Sequence, residues 1–143
     1  MSDVLVFPDT RQCLTELVDG ATHQGESVTV VWHRLANGQG AFAADLPAVQ
    51  IQLTPGGTEG YLDRADRLTL AAYMRLPSGP GDPTALSILE SVRASILGVG
   101  IETPSGYLDS VRVVNAPAPT ESAFNSESIE RAVMTIEVVT RPV

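Results

Sequence analysis

The alternation of apolar and polar residues between positions 46 and 74 is the most informative pattern in the chain. Apolar side chains alternate with glutamines over residues 48–53, and a longer alternating run covers residues 64–75. A period of two is typical of half-buried strands. The sequence Thr-Pro-Gly-Gly at 54–57 interrupts the alternation and predicts a loop over 54–63. Strands joined in this way predict an antiparallel pair.

Two amphipathic helices are predicted outside this pair. Asp9 is the expected N-cap of a helix over residues 10–19, and Gly20 suits its C-terminal end. Asp82 and Pro83 fit the start of a second helix that runs to residue 97 and ends at Gly98. Each helix has one apolar face for a core. The residues on these faces are Leu14, Leu17, Val18, Ala21, Leu86, Leu89, Val92 and Ile96.

Three further strands complete the predicted order α-β-β-β-α-β-β. They cover residues 27–35, 106–114 and 129–139, and the segments 36–45 and 115–128 are predicted loops. We therefore predict a single domain over residues 1–143, of α+β class, with a mainly antiparallel β-sheet and two amphipathic helices packed on one face. The other face is predicted to be polar and either solvated or in contact with a partner. It carries Gln50, Gln52, Thr69, Arg112, Thr135 and Glu137.

Composition narrows the classes of function. The net charge of −8, from 9 basic and 17 acidic residues, opposes nonspecific binding to a phosphate backbone. Hydrophobic content is 43% without an apolar run of membrane-spanning length, which predicts a globular chain. The first twelve residues lack the pattern of a secretory signal, and the lone Cys13 is expected to be a small buried residue. These features favour cytoplasmic synthesis.

No catalytic, cofactor or metal site is predicted. His23 and His33 are not spaced with other ligands as in metal sites, and no serine stands in a nucleophile elbow. The glycines at 56, 57 and 60 cannot form a P-loop, because the chain contains no lysine. The acidic residues scattered along the chain do not follow a Ca²⁺-loop pattern and fit a solvated surface better than a cation site. They are Glu59, Asp63, Asp66, Glu102 and Asp109.

Charged residues on the predicted strands are the candidates for a contact. Arg64 and Arg67 bracket Asp66, so they neutralise part of its charge within the chain or form a charge-paired contact between subunits. Arginine is enriched at protein interfaces. We take Arg64, Asp66 and Arg67, with Arg112 and Glu137 on the polar face, as the candidate interface with another subunit or with a tube.

The chain resembles the tail terminator proteins of long-tailed bacteriophages. The resemblance spans nearly the whole chain and rests on the order of its elements and a few short stretches. The features that carry it are the early helix TRQCLTELVD, the pair LPAVQIQL and DRLTLAAYM around a Gly-rich connection, the helix DPTALSILESVRASIL, the strand GYLDSVRVV, the Pro-rich NAPAPTE and the closing strand ERAVMTIEVVTRPV.

This resemblance implies a structural protein without catalytic residues. It implies a homo-hexameric ring that binds the head-proximal end of the tail tube, stops tube polymerisation and presents a surface to the head–tail connector or stopper protein. The expected partners are other copies of the chain, the tail tube protein and that connector. The genome is expected to pass through the lumen without specific binding, and no membrane is involved. The expected location is the neck end of the virion tail, after assembly in the host cytoplasm.

Two alternatives remain at this point. Another neck subunit, such as a head-closure or stopper protein, also forms rings and has no distinguishing motif here. A small enzyme or ligand-binding domain of α+β fold is the other, since a fold does not fix a function. It requires a concave pocket with converging polar groups.

Overall fold

The computed structural model describes residues 6–33, 35–60 and 62–142. Residues 1–5, which are part of the segment that was predicted to lack a secretory signal, lie outside the described residues. Position 34 of the predicted strand 27–35, position 61 of the predicted loop 54–63 and the C-terminal position 143 also lie outside them. The helices are α1 (Thr10–Val18) and α2 (Ala85–Ile96). The strands are β1 (Thr22–His23), β2 (Glu26–Ser27), β3 (Thr29–Val31), β4 (Ala48–Glu59), β5 (Arg64–Arg75), β6 (Gly98–Thr103), β7 (Gly106–Thr120) and β8 (Ile129–Thr140).

Six strands form one sheet in the order β3-β4-β5-β8-β7-β6, and β1 and β2 form a separate small hairpin. All neighbours in the large sheet are antiparallel except β3 and β4, which run parallel over three residue pairs. The α+β class and the mainly antiparallel sheet are confirmed.

The main core lies between the two helices and one face of the sheet. Strand β8 shows the pattern clearly, because Ala132, Met134, Ile136 and Val138 are buried while the residues between them are partly exposed. Leu68 and Leu70 of β5 lie opposite Ile136 and Met134 in the register. The helices contribute Cys13, Leu14, Val18, Ala85, Ile88, Leu89, Val92 and Ile96. Both helices therefore cover the same face, as predicted.

The opposite face, called the outer face below, is partly covered by loops. Tyr73 and Ala71 of β5 are buried there beneath Phe124 and the half-buried Phe42. The ring of Phe42 lies 5.5 Å from that of Tyr73 and 4.9 Å from that of Phe124. Segments 35–46 and 124–129 thus pack on the sheet, whereas the sequence predicted long loops without a packing partner there.

Three strands differ from their predicted extents. Strand β4 continues through Pro55 and the glycines to Glu59, and β7 continues through the Pro-rich segment to Thr120. Most of the predicted loop 54–63 and the first part of the loop 115–128 are therefore strand. Strand β6 follows directly after α2, where only a helix end was predicted. The predicted strand 27–35 is reduced to β3 and part of the β1–β2 hairpin.

The helix starts were predicted with mixed success. Asp9 is confirmed as the N-cap of α1, because its side chain accepts a hydrogen bond from the Gln12 amide. The prediction of Asp82 as the cap of α2 is wrong. Its carboxylate instead accepts hydrogen bonds from Ser78 and Gly79, which lower the pKa of Asp82, and Thr84 is the N-cap.

We expect Thr84→Ala to lower the free energy of unfolding by about 1 kcal/mol. The Thr84 hydroxyl accepts a hydrogen bond from the Ser87 amide at 3.0 Å, and the Ser87 hydroxyl accepts one from the Thr84 amide at 2.8 Å. Urea denaturation followed by circular dichroism measures the change. Thr84→Ser is the matched control, since it keeps the capping oxygen. Equal losses in both variants would show that the cap contributes nothing.

Candidate functional site

Three of the five predicted interface residues lie in one row across the outer face. The register places Arg67 of β5 opposite Glu137 of β8, and Glu137 opposite Arg112 of β7. Arg112 Nε lies 2.8 Å from Glu137 Oε1, and the side chain of Arg112 is 62% exposed. An ion pair this exposed contributes less than about 1 kcal/mol to stability. The Arg112–Glu137 pair is therefore of little importance for folding.

The other two predicted residues point to the helix side of the sheet. Arg64 donates to Glu59, with Nη2 and Oε1 2.6 Å apart, and its guanidinium lies 4.4 Å from the centre of the Phe7 ring. Asp66 accepts a hydrogen bond of 3.0 Å from the Thr10 hydroxyl at the start of α1. Thus the structure gives Arg64 and Asp66 partners other than each other, and it does not unite the five residues in one patch.

Arg67 is the unusual member of the set. Its side chain lies over Gly56 in β4, where an added Cβ would sit 3.3 Å from Arg67 Cδ. The Nε atom of Arg67 is buried and has no hydrogen-bond partner among the described residues. The same is true of the Oγ1 atom of Thr54, which lies directly opposite Arg67 in the register. Buried polar atoms normally have partners, and an unpaired one costs about 1–3 kcal/mol. Both residues also lie in the wall of a cleft.

A shallow cleft of about 360 Å³ opens at the same place. Its wall is formed by residues 53–59 of β4 and 64–67 of β5. The strands change register between Thr54 and Thr58, so this part of β4 bulges. The sequence predicted Arg67 as an interface residue, but it could not show that the Nε atom lacks a hydrogen-bond partner. That feature depends on the bulge in β4 and on the absence of a side chain at Gly56.

A larger cleft of about 510 Å³ lies beside the β6–β7 turn. Its wall includes Pro8, Glu102, Ser105 and an ion pair of 2.8 Å between Arg141 Nε and Asp109 Oδ2. The hydrogen bond from Arg141 to Asp109 raises the pKa of Arg141. Beneath the turn, burial raises the pKa of the Cys13 thiol, which favours its protonated, weakly nucleophilic form.

The two histidines occupy different environments. His23 is buried, and its Nδ1 lies 2.8 Å from the Ser91 hydroxyl of α2, a contact that sequence reasoning did not predict. Burial lowers the pKa of His23, so the imidazole is held neutral and links the β1–β2 hairpin to the helix. His33 is exposed, as expected. Within the described residues, no three His, Cys, Asp or Glu side chains are grouped to hold a metal ion.

The described helices include none that is long and apolar enough to span a membrane. No protein-family model matches the sequence, and no curated protein matches it either. The fold is similar to that of a chain in the solved structure of the virion of a native gene transfer agent (GTA) particle. The TM-score is 0.59 at 8% sequence identity, and the match covers 92% of this chain and 93% of the other. At this identity the likeness concerns the fold, which the two chains share almost from end to end.

Proposed function

We propose that this chain is a structural virion protein, and specifically the tail terminator of a long-tailed phage or a related particle. The observation that carries the proposal is the likeness, over 92% of the chain, to a component of a gene transfer agent virion. The order of elements that resembles tail terminators in the sequence is the second support. In this role the protein acts as a single domain and catalyses no reaction.

The proposed assembly is a homo-hexameric ring on the head-proximal end of the tail tube. The ring ends tube polymerisation and provides the surface for the head–tail connector or stopper protein. A closed ring of identical subunits needs two different contact surfaces on each subunit, because one surface must meet the other around the circle. The large sheet supports this requirement, because its two edge strands, β3 and β6, differ from each other.

The remaining partners follow from the same role. The protein is assembled in the host cytoplasm and resides at the neck end of the virion. The genome passes through the lumen without specific binding, which the net charge of −8 supports through repulsion of phosphates. The outer-face row, with Arg67 and Arg112 around Glu137, offers a locally basic surface on this acidic chain to the tube or the connector.

The test is a nonsense mutation in the gene for this chain, followed by negative-stain microscopy of infected-cell lysates. We expect tails of uncontrolled length that are not joined to filled heads. Complementation with the intact gene is the control and restores tails of normal length. Normal-length tails beside empty or leaking heads would instead assign the chain to head closure, and fully infectious particles would refute a neck function.

A further inference from the structure

We infer that neighbouring copies of this chain join edge to edge, with β6 of one copy added to the free part of β4 of the next, and with Glu102 of the first copy received by Arg67 and Thr54 of the second. This inference rests on the proposed ring and names its subunit contact.

The large sheet has two free edges. Strand β3 pairs only with residues 48–50 of β4, so residues 51–59 have no strand neighbour on that side within the described part of the chain. Strand β6 is the last strand at the opposite edge. Free edges present unpaired amide and carbonyl groups that another strand can bond. Two different edges on one subunit allow a head-to-tail contact, which is the type that closes into a ring.

The strand directions determine the kind of pairing. Successive antiparallel neighbours from β4 to β6 bring β6 back to the same direction as β4. A copy that continues the sheet in the same orientation therefore places its β6 parallel to β4. Within one chain β3 already pairs in parallel with the start of β4, so β6 of the next copy continues along the edge where β3 stops.

The chemistry of the two edges is complementary. Arg67 of β5 extends over Gly56 of β4, so its unpaired Nε and the Oγ1 of Thr54 lie near the β4 edge beside the 360 Å³ cleft. Strand β6 carries one charged residue, Glu102, which is exposed and makes no salt bridge with any described residue. A carboxylate received at this position pairs with the guanidinium and accepts the Thr54 hydroxyl proton in a hydrogen bond. Both atoms are covered in the single chain, so the Arg67 and Thr54 side chains turn toward the added strand when this contact forms.

The apolar residues of the two edges fit the same register. With Glu102 beside Thr54, Ile101 lies beside Leu53, which is 51% exposed in the single chain. Val99 of β6, 81% exposed, then lies against the β4 backbone near Ile51. Removing these side chains from water favours the contact. Pro55 lacks an amide hydrogen, so the added strand pairs over a short stretch, which limits association away from the tube.

Disulfide crosslinking tests the register. We expect Thr54→Cys/Glu102→Cys in a Cys13→Ser background, bound to tail tubes from the nonsense-mutant lysate and oxidised, to give a ladder of multimers on a nonreducing gel. The control is Thr58→Cys/Glu102→Cys, because Thr54 and Thr58 pair with residues two apart on β5. The β4 cysteine is therefore displaced by about 7 Å along the sheet, which is too far for the same disulfide. Rings on tubes without a ladder, or equal ladders in both variants, would overturn the edge contact while the terminator function stands. Failure of the uncrosslinked protein to bind tubes would instead contradict the proposed function.

A charge exchange gives a second readout. We expect Arg67→Glu and Glu102→Arg each to reduce tube capping by about fivefold or more, and the variant with both changes to recover it. Arg75→Glu is the control for reversal of an exposed arginine charge, because Arg75 is the exposed last residue of β5 and belongs to neither proposed contact. Thermal melts check that each variant is folded. Undiminished capping by the single variants, or a folded double variant without recovery, would show that these two residues do not meet between copies.

Discussion

Replacing Ile136 with alanine is expected to lower the free energy of unfolding by about 3 kcal/mol. The side chain is fully buried in β8, between Leu68 of β5 and Val113 of β7 in the register. Truncation leaves a cavity beneath the helices that the neighbouring strands cannot fill, since both are fixed by pairing along β8. Urea denaturation measures the change, with the m-value fitted separately for each variant.

Thr135→Ala is the matched control for this prediction. Thr135 is the preceding residue of the same strand, lies on the outer face opposite Thr69, and is only partly buried. We expect a change of less than about 1 kcal/mol there. A slip of the strand by one residue would exchange the two faces. Comparable losses in the two variants would therefore contradict the observed register.

The central elements were predictable because their sequences carry a regular period. Strand β5 was predicted over its observed bounds, and β8 and α2 to within a few residues. In each, apolar residues recur at a spacing of two or of three to four, and one face is buried. The face of Asp66 was predictable in the same way, since Asp66 and Leu68 are two residues apart on β5 and so share the helix side.

The edges of the sheet were not predictable from local signals. Pro55 in β4 and Pro117 in β7 indicated loops, yet both lie in strand segments that have a paired neighbour on one side only. Strand β4 is free beyond residue 50 on its β3 side, and β7 pairs with β6 only up to residue 111. Both prolines also lie at breaks in the register, Pro55 between Thr54 and Thr58 and Pro117 between Asn115 and Ala118. Proline is tolerated at such bulges and at strand edges. Only the tertiary arrangement shows which segments these are.

Strand β6 was missed for a related reason. Gly98 and Gly100 both have positive φ angles, which favour glycine, and Gly98 follows immediately after the α2 C-cap. A glycine after a helix usually marks its end, and two glycines around Val99 leave no alternation to read. The unpaired Arg67 and Thr54 atoms depend equally on long-range geometry, so the contact proposed between Glu102 and Arg67 was not accessible from the sequence.

Replacing Phe124 with alanine is expected to lower the free energy of unfolding by about 3 kcal/mol and to release the loops from the outer face. The Phe124 ring packs edge-on against Phe42 at 4.9 Å and against Tyr73 at 6.1 Å. Phe124 thus joins the segment before β8 to both Phe42 and Tyr73, while Phe42 also contacts Tyr73 directly at 5.5 Å. Its removal takes away the aromatic contact that the two loops share, while the hydrogen bond from the Phe42 amide to Glu127 still joins them.

Hydrogen exchange measured by mass spectrometry distinguishes loop release from general destabilisation. We expect faster exchange in residues 35–47 and 121–128 of Phe124→Ala, while the central strands β5 and β8 remain protected under native conditions. Asn125→Ala is the control, because Asn125 is the exposed neighbour in the same segment. Unchanged loop exchange would show that the aromatic cluster does not hold the loops. Release of the loops would uncover the half of the outer face next to the row of Arg67, Glu137 and Arg112. If a folded Phe124→Ala variant with released loops still caps tubes, the loops and the half of the face beneath them are not part of the tube contact.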